Sequence, residues 1–102
     1  MKEVNVIGLA DGRLEIALTG EIDSGSADEF YAVVSDAYRH TPGDIAFDCT
    51  GLEFIDSTTL GTFVKILKLV KTDGHSLRLT GLQPRIKKLF LICSLDTIMG
   101  ID

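Results

Sequence analysis

The sequence predicts an α/β domain built on a mixed, mostly parallel β-sheet, with an N-terminal hairpin and three main helices. Near the N-terminus, apolar residues alternate with polar or small ones, which is typical of half-buried strands. Further along, apolar residues recur at three- and four-residue spacing, which is typical of amphipathic helices. The segments follow the order ββαβαβαβ, which favours parallel strands joined by helical crossovers.

The first third of the chain predicts the hairpin and the first helix. Two alternating apolar segments flank a turn signal at Asp11-Gly12. Ser26-Ala27-Asp28-Glu29 then fits a capping box, in which the serine and glutamate side chains accept backbone N–H groups at a helix start. Apolar residues at helical spacing extend this helix over 26–39, and Thr41-Pro42-Gly43 ends it.

The remaining segments complete the α/β pattern. Residues 44–49 predict a buried strand, 77–79 the next strand and 97–101 a last short one. The second helix is expected to begin near Ser57 and to end at Asp73-Gly74. Pro84 suits the first turn of the third helix. The apolar stripe predicted for the second helix is Leu60, Phe63, Val64, Leu67 and Val70, and that for the third is Ile86, Leu89, Phe90 and Cys93.

Composition and charge narrow the function class. A chain of 102 residues suits one domain, 1–102, with a core that needs no disulfides. Its net charge of −5 argues against nucleic acid as a direct partner. No run approaches the ~20 apolar residues of a membrane span, and no secretory signal is visible. Cys49 and Cys93 lie in apolar contexts and predict buried free thiols, as expected of a cytoplasmic protein.

Residue patterns for catalysis or metal binding are sparse. His40 and His75 lie beside helix-ending turns, and a solvated turn residue is a simpler interpretation than a general base, which needs a positioned partner. No phosphate-binding loop, dinucleotide fingerprint, nucleophile elbow or metal-ligand spacing occurs. We therefore expect a non-enzyme without a bound metal or cofactor.

Three acids remain as candidates for a ligand site. Asp23, Asp48 and Asp56 fall at predicted strand ends, where open α/β sheets tend to bind ligands. A cluster of these carboxylates would suit a small-molecule or nucleotide-binding regulatory module. Capping and turn formation is the other interpretation of the same residues.

The junction Asp56-Ser57-Thr58-Thr59-Leu60-Gly61 is the segment most suggestive of function. It joins a short apolar run to the second helix, so Ser57 is expected near open backbone amides, which favour negative charge. Two interpretations follow: part of a helix cap, or a residue that carries or binds a phosphate.

The second helix also offers a candidate protein-binding face. At ~100° per residue, the face opposite the apolar stripe carries Thr58, Thr62, Lys65 and Leu69. Leu69 is either a lone exposed leucine, which is common, or part of a protein contact.

Three segments resemble the STAS domain of bacterial anti-sigma factor antagonists. Residues 18–23, LTGEID, are similar to the family's LxGELD strand end. Residues 52–61, LEFIDSTTLG, are similar to its LxFxDSSGLG phosphorylation segment, and residues 84–90, PRIKKLF, to its PxVxRLF third helix. The spacing of the three segments also fits, so the resemblance covers nearly the whole chain.

The resemblance implies that the protein binds an anti-sigma factor serine kinase and thereby releases a sigma factor. By motif position Ser57 is the phosphoacceptor, phosphorylation ends the interaction, and a PP2C-type phosphatase restores it. The alternative within the family is a STAS subunit of a lipid-transport or stress-signalling assembly. The expected partner-binding residues are Asp23, Asp56, Thr58, Thr59, Gly61, Thr62, Lys65 and Leu69.

One position departs from the motif, because Thr59 stands where the family pattern has glycine. A β-branched residue is stiffer and bulkier than glycine. We expect the added bulk beside the acceptor to slow phosphorylation or to select a particular kinase.

Overall fold

The five strands of the sheet lie side by side in chain order, β1-β2-β3-β4-β5. The computed structural model describes residues 1–102, and it confirms the predicted ββαβαβαβ order. The strands are β1 (Val4–Ala10), β2 (Arg13–Ile22), β3 (Asp44–Ile55), β4 (Leu77–Thr80) and β5 (Gly100–Ile101). The helices are α1 (Ala27–His40), α2 (Ser57–Thr72) and α3 (Pro84–Ile92), followed by a short 3₁₀ turn at Leu95–Thr97. None of these helices is long and apolar enough to cross a lipid bilayer.

The strand order explains why one face of the sheet is buried and the other is open. β1 and β2 pair antiparallel, and the other three pairs are parallel. Each parallel connection moves one position in the same direction, and right-handed crossovers then put α1, α2 and α3 on the same face. Accordingly, β2 buries alternate residues such as Leu14, Ile16 and Leu18, while the residues between them are more exposed.

The hairpin between β1 and β2 forms as predicted at Asp11-Gly12. Both residues adopt positive φ angles, 53° and 77°. This conformation matches a two-residue hairpin turn whose twist suits the flanking strands, and the Asp-Gly pair tolerates it.

Four phenylalanines form the centre of the core. Phe63 of α2 lies 5.2 Å from Phe30 of α1, 5.5 Å from Phe47 of β3 and 5.3 Å from Phe90 of α3, measured between ring centroids. The rings meet at steep angles, an arrangement that contributes about 0.5–1.5 kcal/mol per pair beyond area burial. This cluster fixes α2, and therefore its N-terminus, relative to the sheet.

The predicted strand 44–49 is the first half of a longer strand. β3 continues to Ile55 because β2 remains its partner, with Thr19 opposite Gly51 and Glu21 opposite Phe54. A Cβ on Gly51 would lie 2.9 Å from the Thr19 methyl carbon, so glycine permits this close approach. The apolar run at 52–55 thus belongs to the strand that leads directly into α2.

Two predictions about local structure are wrong. Ser26 precedes α1 but forms no capping box; its hydroxyl accepts the Asp23 N–H at 3.1 Å, which turns it away from the helix. Cys49 is buried, and burial raises the pKa of its thiol to about 12. Cys93, however, is exposed, because α3 ends at Ile92 before its stripe reaches that position.

Candidate functional site at the start of helix α2

The adjacent C-terminal ends of β2 and β3 bring two of the three predicted acids together. Asp23 follows β2 and Asp56 follows β3, and the Ser24 N–H donates to Asp56 Oδ2 at 2.8 Å. Asp48 is not part of this site, because it lies within β3 and accepts the Thr50 hydroxyl at 2.6 Å. The prediction of a three-acid cluster is therefore wrong, although Asp23 and Asp56 both lie at the ends of neighbouring strands.

Asp56 is the N-cap of α2. Its Oδ1 accepts the Thr59 N–H at 3.0 Å, while its Oδ2 accepts the Ser24 N–H from the loop after β2. One carboxylate thus closes the helix start and ties two strand ends together. These hydrogen bonds, that from the Thr59 amide foremost, hold the pKa of Asp56 below its usual value.

The cap also changes the expected role of the helix N-terminus. The carboxylate of Asp56 already accepts hydrogen bonds at the place where a bound anion would sit. The arrangement therefore disfavours a free anionic ligand at this helix start. It also disfavours a nucleotide held there by its phosphates.

Ser57 is the first residue of α2 and is exposed to solvent. Because Asp56 provides the cap, the Ser57 side chain is not needed to stabilise the helix start. Its hydroxyl takes part in no hydrogen bond within the chain, in contrast to the neighbouring hydroxyls of Thr59 and Thr62. An exposed hydroxyl without an internal partner is accessible to a modifying enzyme.

Thr59 points into the protein, away from the surface where Ser57 lies. Its side chain is fully buried, and its hydroxyl donates to the Ile22 carbonyl at 2.6 Å and lies 3.0 Å from Asp56 Oδ1. The expectation that Thr59 adds bulk beside the acceptor is therefore wrong. In this chain, the residue that replaces the motif glycine links α2 to the end of β2.

The outer face of α2 differs from the simple helical projection. Thr58, Gly61 and Lys65 are exposed, as expected. Thr62 is buried and bonds to the Thr58 carbonyl, and Leu69 is half-buried against the core. These two placements correct the prediction, because α2 packs against both the sheet and α1 and therefore buries more than one stripe.

Lys65 connects α2 to α1 through an aromatic ring. Its ammonium lies 4.1 Å from the centroid of the Tyr31 ring. Such cation–π contacts contribute about 0.5–1 kcal/mol at exposed sites. Lys65 therefore has an internal contact as well as an exposed position near the candidate site.

A cleft beside this site was missed from the sequence. It is lined by Glu21, Glu53, Phe54, Ile55, Arg85, Ile86 and Leu89. A signal was present in the order Leu52-Glu53-Phe54-Ile55, which breaks strict alternation and leaves an aromatic residue on the surface. The sequence alone does not show that α3 returns to this end of β3.

Comparison with known proteins agrees with the fold and with the resemblance to the STAS domain. The protein-family model for the STAS domain matches residues 3–102. The chain belongs to the STAS domain family. Among curated relatives of this STAS domain, the anti-sigma-B factor antagonist of Staphylococcus aureus (strain NCTC 8325 / PS 47) is 30% identical over 88 residues, covering 86% of this chain and 82% of that protein.

Solved structures give the same architecture. A Thermotoga maritima protein described as an anti-sigma factor antagonist is 25% identical to this STAS domain, with a TM-score of 0.79 over 91% of this chain and 80% of that chain. The phosphorylated form of the Bacillus cell fate determinant SpoIIAA is 20% identical, with a TM-score of 0.75 over 97% of this chain and 90% of that chain. At 20% identity, the second likeness supports the fold alone.

Proposed function

We propose that this chain is an anti-sigma factor antagonist that binds an anti-sigma serine kinase and is switched off by phosphorylation of Ser57. The observation that carries the proposal is the exposed Ser57 hydroxyl, without an internal partner, at the first position of a helix capped by Asp56. Family membership and the similarity to an anti-sigma-B factor antagonist support the same function.

The partner surface surrounds Ser57. Thr58, Gly61 and Lys65 are exposed on the same helix, and Asp23 lies half-buried at the neighbouring strand end. Thr59, Thr62 and Leu69, in contrast, support this surface from beneath. Asp56 has both roles, because its carboxylate is partly exposed while it holds the helix start and the loop after β2.

Phosphorylation would act on the interface and leave the fold unchanged. A phosphoserine adds about −1.5 to −2 charges, which the helix N-terminus favours by roughly 0.3–1 kcal/mol. The neighbouring carboxylate of Asp56 opposes it, so these local effects partly cancel. No internal hydrogen bond of Ser57 has to break. Release then follows from placing charge and bulk in an interface, where like-charge contact costs several kcal/mol.

The test is incubation of the protein with ATP and candidate anti-sigma kinases encoded by the same genome. Mass spectrometry is expected to locate one phosphate on Ser57, which Ser57→Ala abolishes. Thr58→Ala is the matched control, because Thr58 is the exposed hydroxyl next in the chain. We expect a PP2C-type phosphatase to remove the phosphate. A phosphate that persists in Ser57→Ala, or no kinase acting on the wild-type protein, would contradict the proposal.

A further inference from the structure

We propose that the cleft between β3 and α3 receives an apolar side chain of the anti-sigma kinase, flanked in the kinase by a basic residue. This inference rests on the proposed function, because the occupant belongs to the kinase. The cleft has a volume of about 510 Å³, enough for a large side chain and part of its neighbours. We refer to it below as the β3–α3 cleft.

The β3–α3 cleft exists because β4 is much shorter than β3. β4 pairs only with Ile45 to Asp48, so the second half of β3 has β2 on one side and no strand on the other. After β4, Gly81 turns with a φ of +74°, and a Cβ there would lie 2.5 Å from the Thr50 hydroxyl. Glycine thus lets the chain turn tightly against β3 before α3 returns alongside it.

The walls of the β3–α3 cleft are apolar and come from both elements. Phe54 and Ile55 contribute from β3, and Ile86 and Leu89 from α3. Phe54 leaves 45% of its surface exposed, although it is a large aromatic residue at a strand end. A concave apolar surface with an accessible aromatic side chain is typical of places where a partner inserts an anchor residue.

The rim of the β3–α3 cleft selects the charge of the occupant. Glu21 and Glu53 carry negative charge, and Arg85 alone is positive. The carboxylates of Asp23 and Asp56 lie at the same end of the sheet, and the whole chain has a net charge of −5. An acidic ligand is therefore disfavoured, whereas an apolar side chain beside a lysine or arginine matches the walls and the rim.

The β3–α3 cleft lies next to Ser57 along the chain. Ile55 lines the cleft, and Ser57 follows it by two residues, with only the N-cap Asp56 between them. One partner can therefore cover both features. The cleft would supply apolar binding energy, while Ser57 would supply the switch.

The experiment measures kinase affinity by isothermal titration calorimetry for the wild-type chain and three variants. Phe54→Ala removes the exposed wall, and Glu53→Lys reverses the rim charge. Ile92→Ala is the control, because Ile92 is 68% exposed on the same helix α3 but does not line the cleft. The titrant is the same-genome kinase that phosphorylates Ser57, and thermal melts confirm that each variant is folded.

We expect Phe54→Ala to weaken binding at least tenfold, because the walls of an anchor pocket carry much of the binding energy, and Ile92→Ala to leave it within about twofold. Glu53→Lys should weaken binding most at low ionic strength. If both cleft variants bind the kinase with wild-type affinity and Ser57 is still phosphorylated, the cleft proposal is wrong. The proposed function would then still stand. An equal loss of kinase affinity in Ile92→Ala would also contradict the cleft proposal. If no kinase binds the wild-type chain, both proposals fail.

Discussion

The two ends of the parallel strands carry polar clusters that are built differently. At the C-terminal end, Asp56 binds backbone amides of two segments, and the adjacent Ser57 hydroxyl has no internal partner. At the opposite end, the Tyr38 hydroxyl donates to Asp73 Oδ2 at 2.7 Å and lies 2.8 Å from His75 Nδ1. Nearby, the Ser76 N–H donates to Asp44 at 2.9 Å.

The difference separates polar groups that are paired within the fold from a hydroxyl that is left accessible. At the Tyr38 end, the tyrosine and histidine groups are paired with each other or with Asp73, so this cluster joins α1 to the loop after α2. His75 is therefore half-buried and paired, not the solvated turn residue that was predicted, whereas His40 is exposed. At the Ser57 end, the Asp56 carboxylate is hydrogen-bonded, but the hydroxyl of the next residue, Ser57, has no partner and faces solvent.

The largest effect on kinase affinity is expected when the unpaired hydroxyl of Ser57 is replaced by a permanent charge. Ser57→Glu should weaken the kinase complex about 100-fold, or about 3 kcal/mol, because it places a charge in the interface without breaking an internal bond. Thr72→Glu, with the same charge change at the exposed far end of α2, should leave affinity unchanged. Calorimetric titration measures both. Wild-type affinity for Ser57→Glu would sink the electrostatic-release mechanism.

The next effect concerns the buried hydroxyl beneath Ser57. Thr59→Val keeps the shape of the side chain but leaves the buried Ile22 carbonyl without the hydroxyl donor, so it should lower the free energy of unfolding by about 2 kcal/mol. Thr58→Val, at the exposed neighbouring position, should change stability by less than about 0.5 kcal/mol. Chemical denaturation followed by circular dichroism distinguishes them. Equal stability of the two variants would contradict the structural role of Thr59.

A smaller effect is expected at the opposite end. Tyr38→Phe removes the hydroxyl that joins Asp73 and His75 and should destabilise the fold by about 1 kcal/mol. The rate of Ser57 phosphorylation should not change, because this cluster lies at the other end of the strands. Tyr31→Phe is the control, since the Tyr31 hydroxyl forms no hydrogen bond within the chain and its ring still faces Lys65. A changed phosphorylation rate in Tyr38→Phe would contradict the independence of the two ends of the sheet.

The smallest effects appear as changes of stability with pH. The folded-state pKa of Asp56 is lowered, so its stabilisation is present above about pH 4 and is lost as the pH falls further. Burial and the hydrogen bond to Asp73 raise the pKa of Tyr38 to about 12, so its stabilisation is present below about pH 10 and is lost above it. Denaturation at a series of pH values gives the free energy of unfolding as a function of pH. Asp56→Asn should reduce its decrease at acidic pH, and Tyr38→Phe should reduce its decrease at alkaline pH. If the variants show the same pH dependence of stability as the wild-type chain, these roles of Asp56 and Tyr38 are wrong.

Much of the fold follows from local patterns. The Asp11-Gly12 turn, the start of α2 near Ser57 and the start of α3 at Pro84 depend on residues close in sequence, and the structure confirms them. The capping box at Ser26 was wrong because a competing local hydrogen bond to Asp23 uses the same hydroxyl. Two local patterns compete for the same hydroxyl, and the sequence does not rank them.

The candidate site also has features that local sequence predicts and features that depend on distant contacts. The motif around Ser57 and the places of Asp23 and Asp56 at neighbouring strand ends were visible in the sequence, because parallel strand ends meet at one edge of the sheet. The burial of Thr59 was not visible, since its hydroxyl bonds a carbonyl 37 positions earlier in the chain. The β3–α3 cleft was missed for a similar reason, because it depends on where β4 stops and α3 returns.

The sequence by itself determined the fold class, the family and the serine at the start of α2, because periodicity, turn residues and motifs act over a few positions. Only the tertiary structure decided that Asp56 caps the helix, that Thr59 is buried and that Ser57 is left unpaired. These outcomes depend on hydrogen bonds and packing between segments far apart in the chain. Local pattern therefore located the candidate switch, and long-range contacts decided which of its side chains remains accessible.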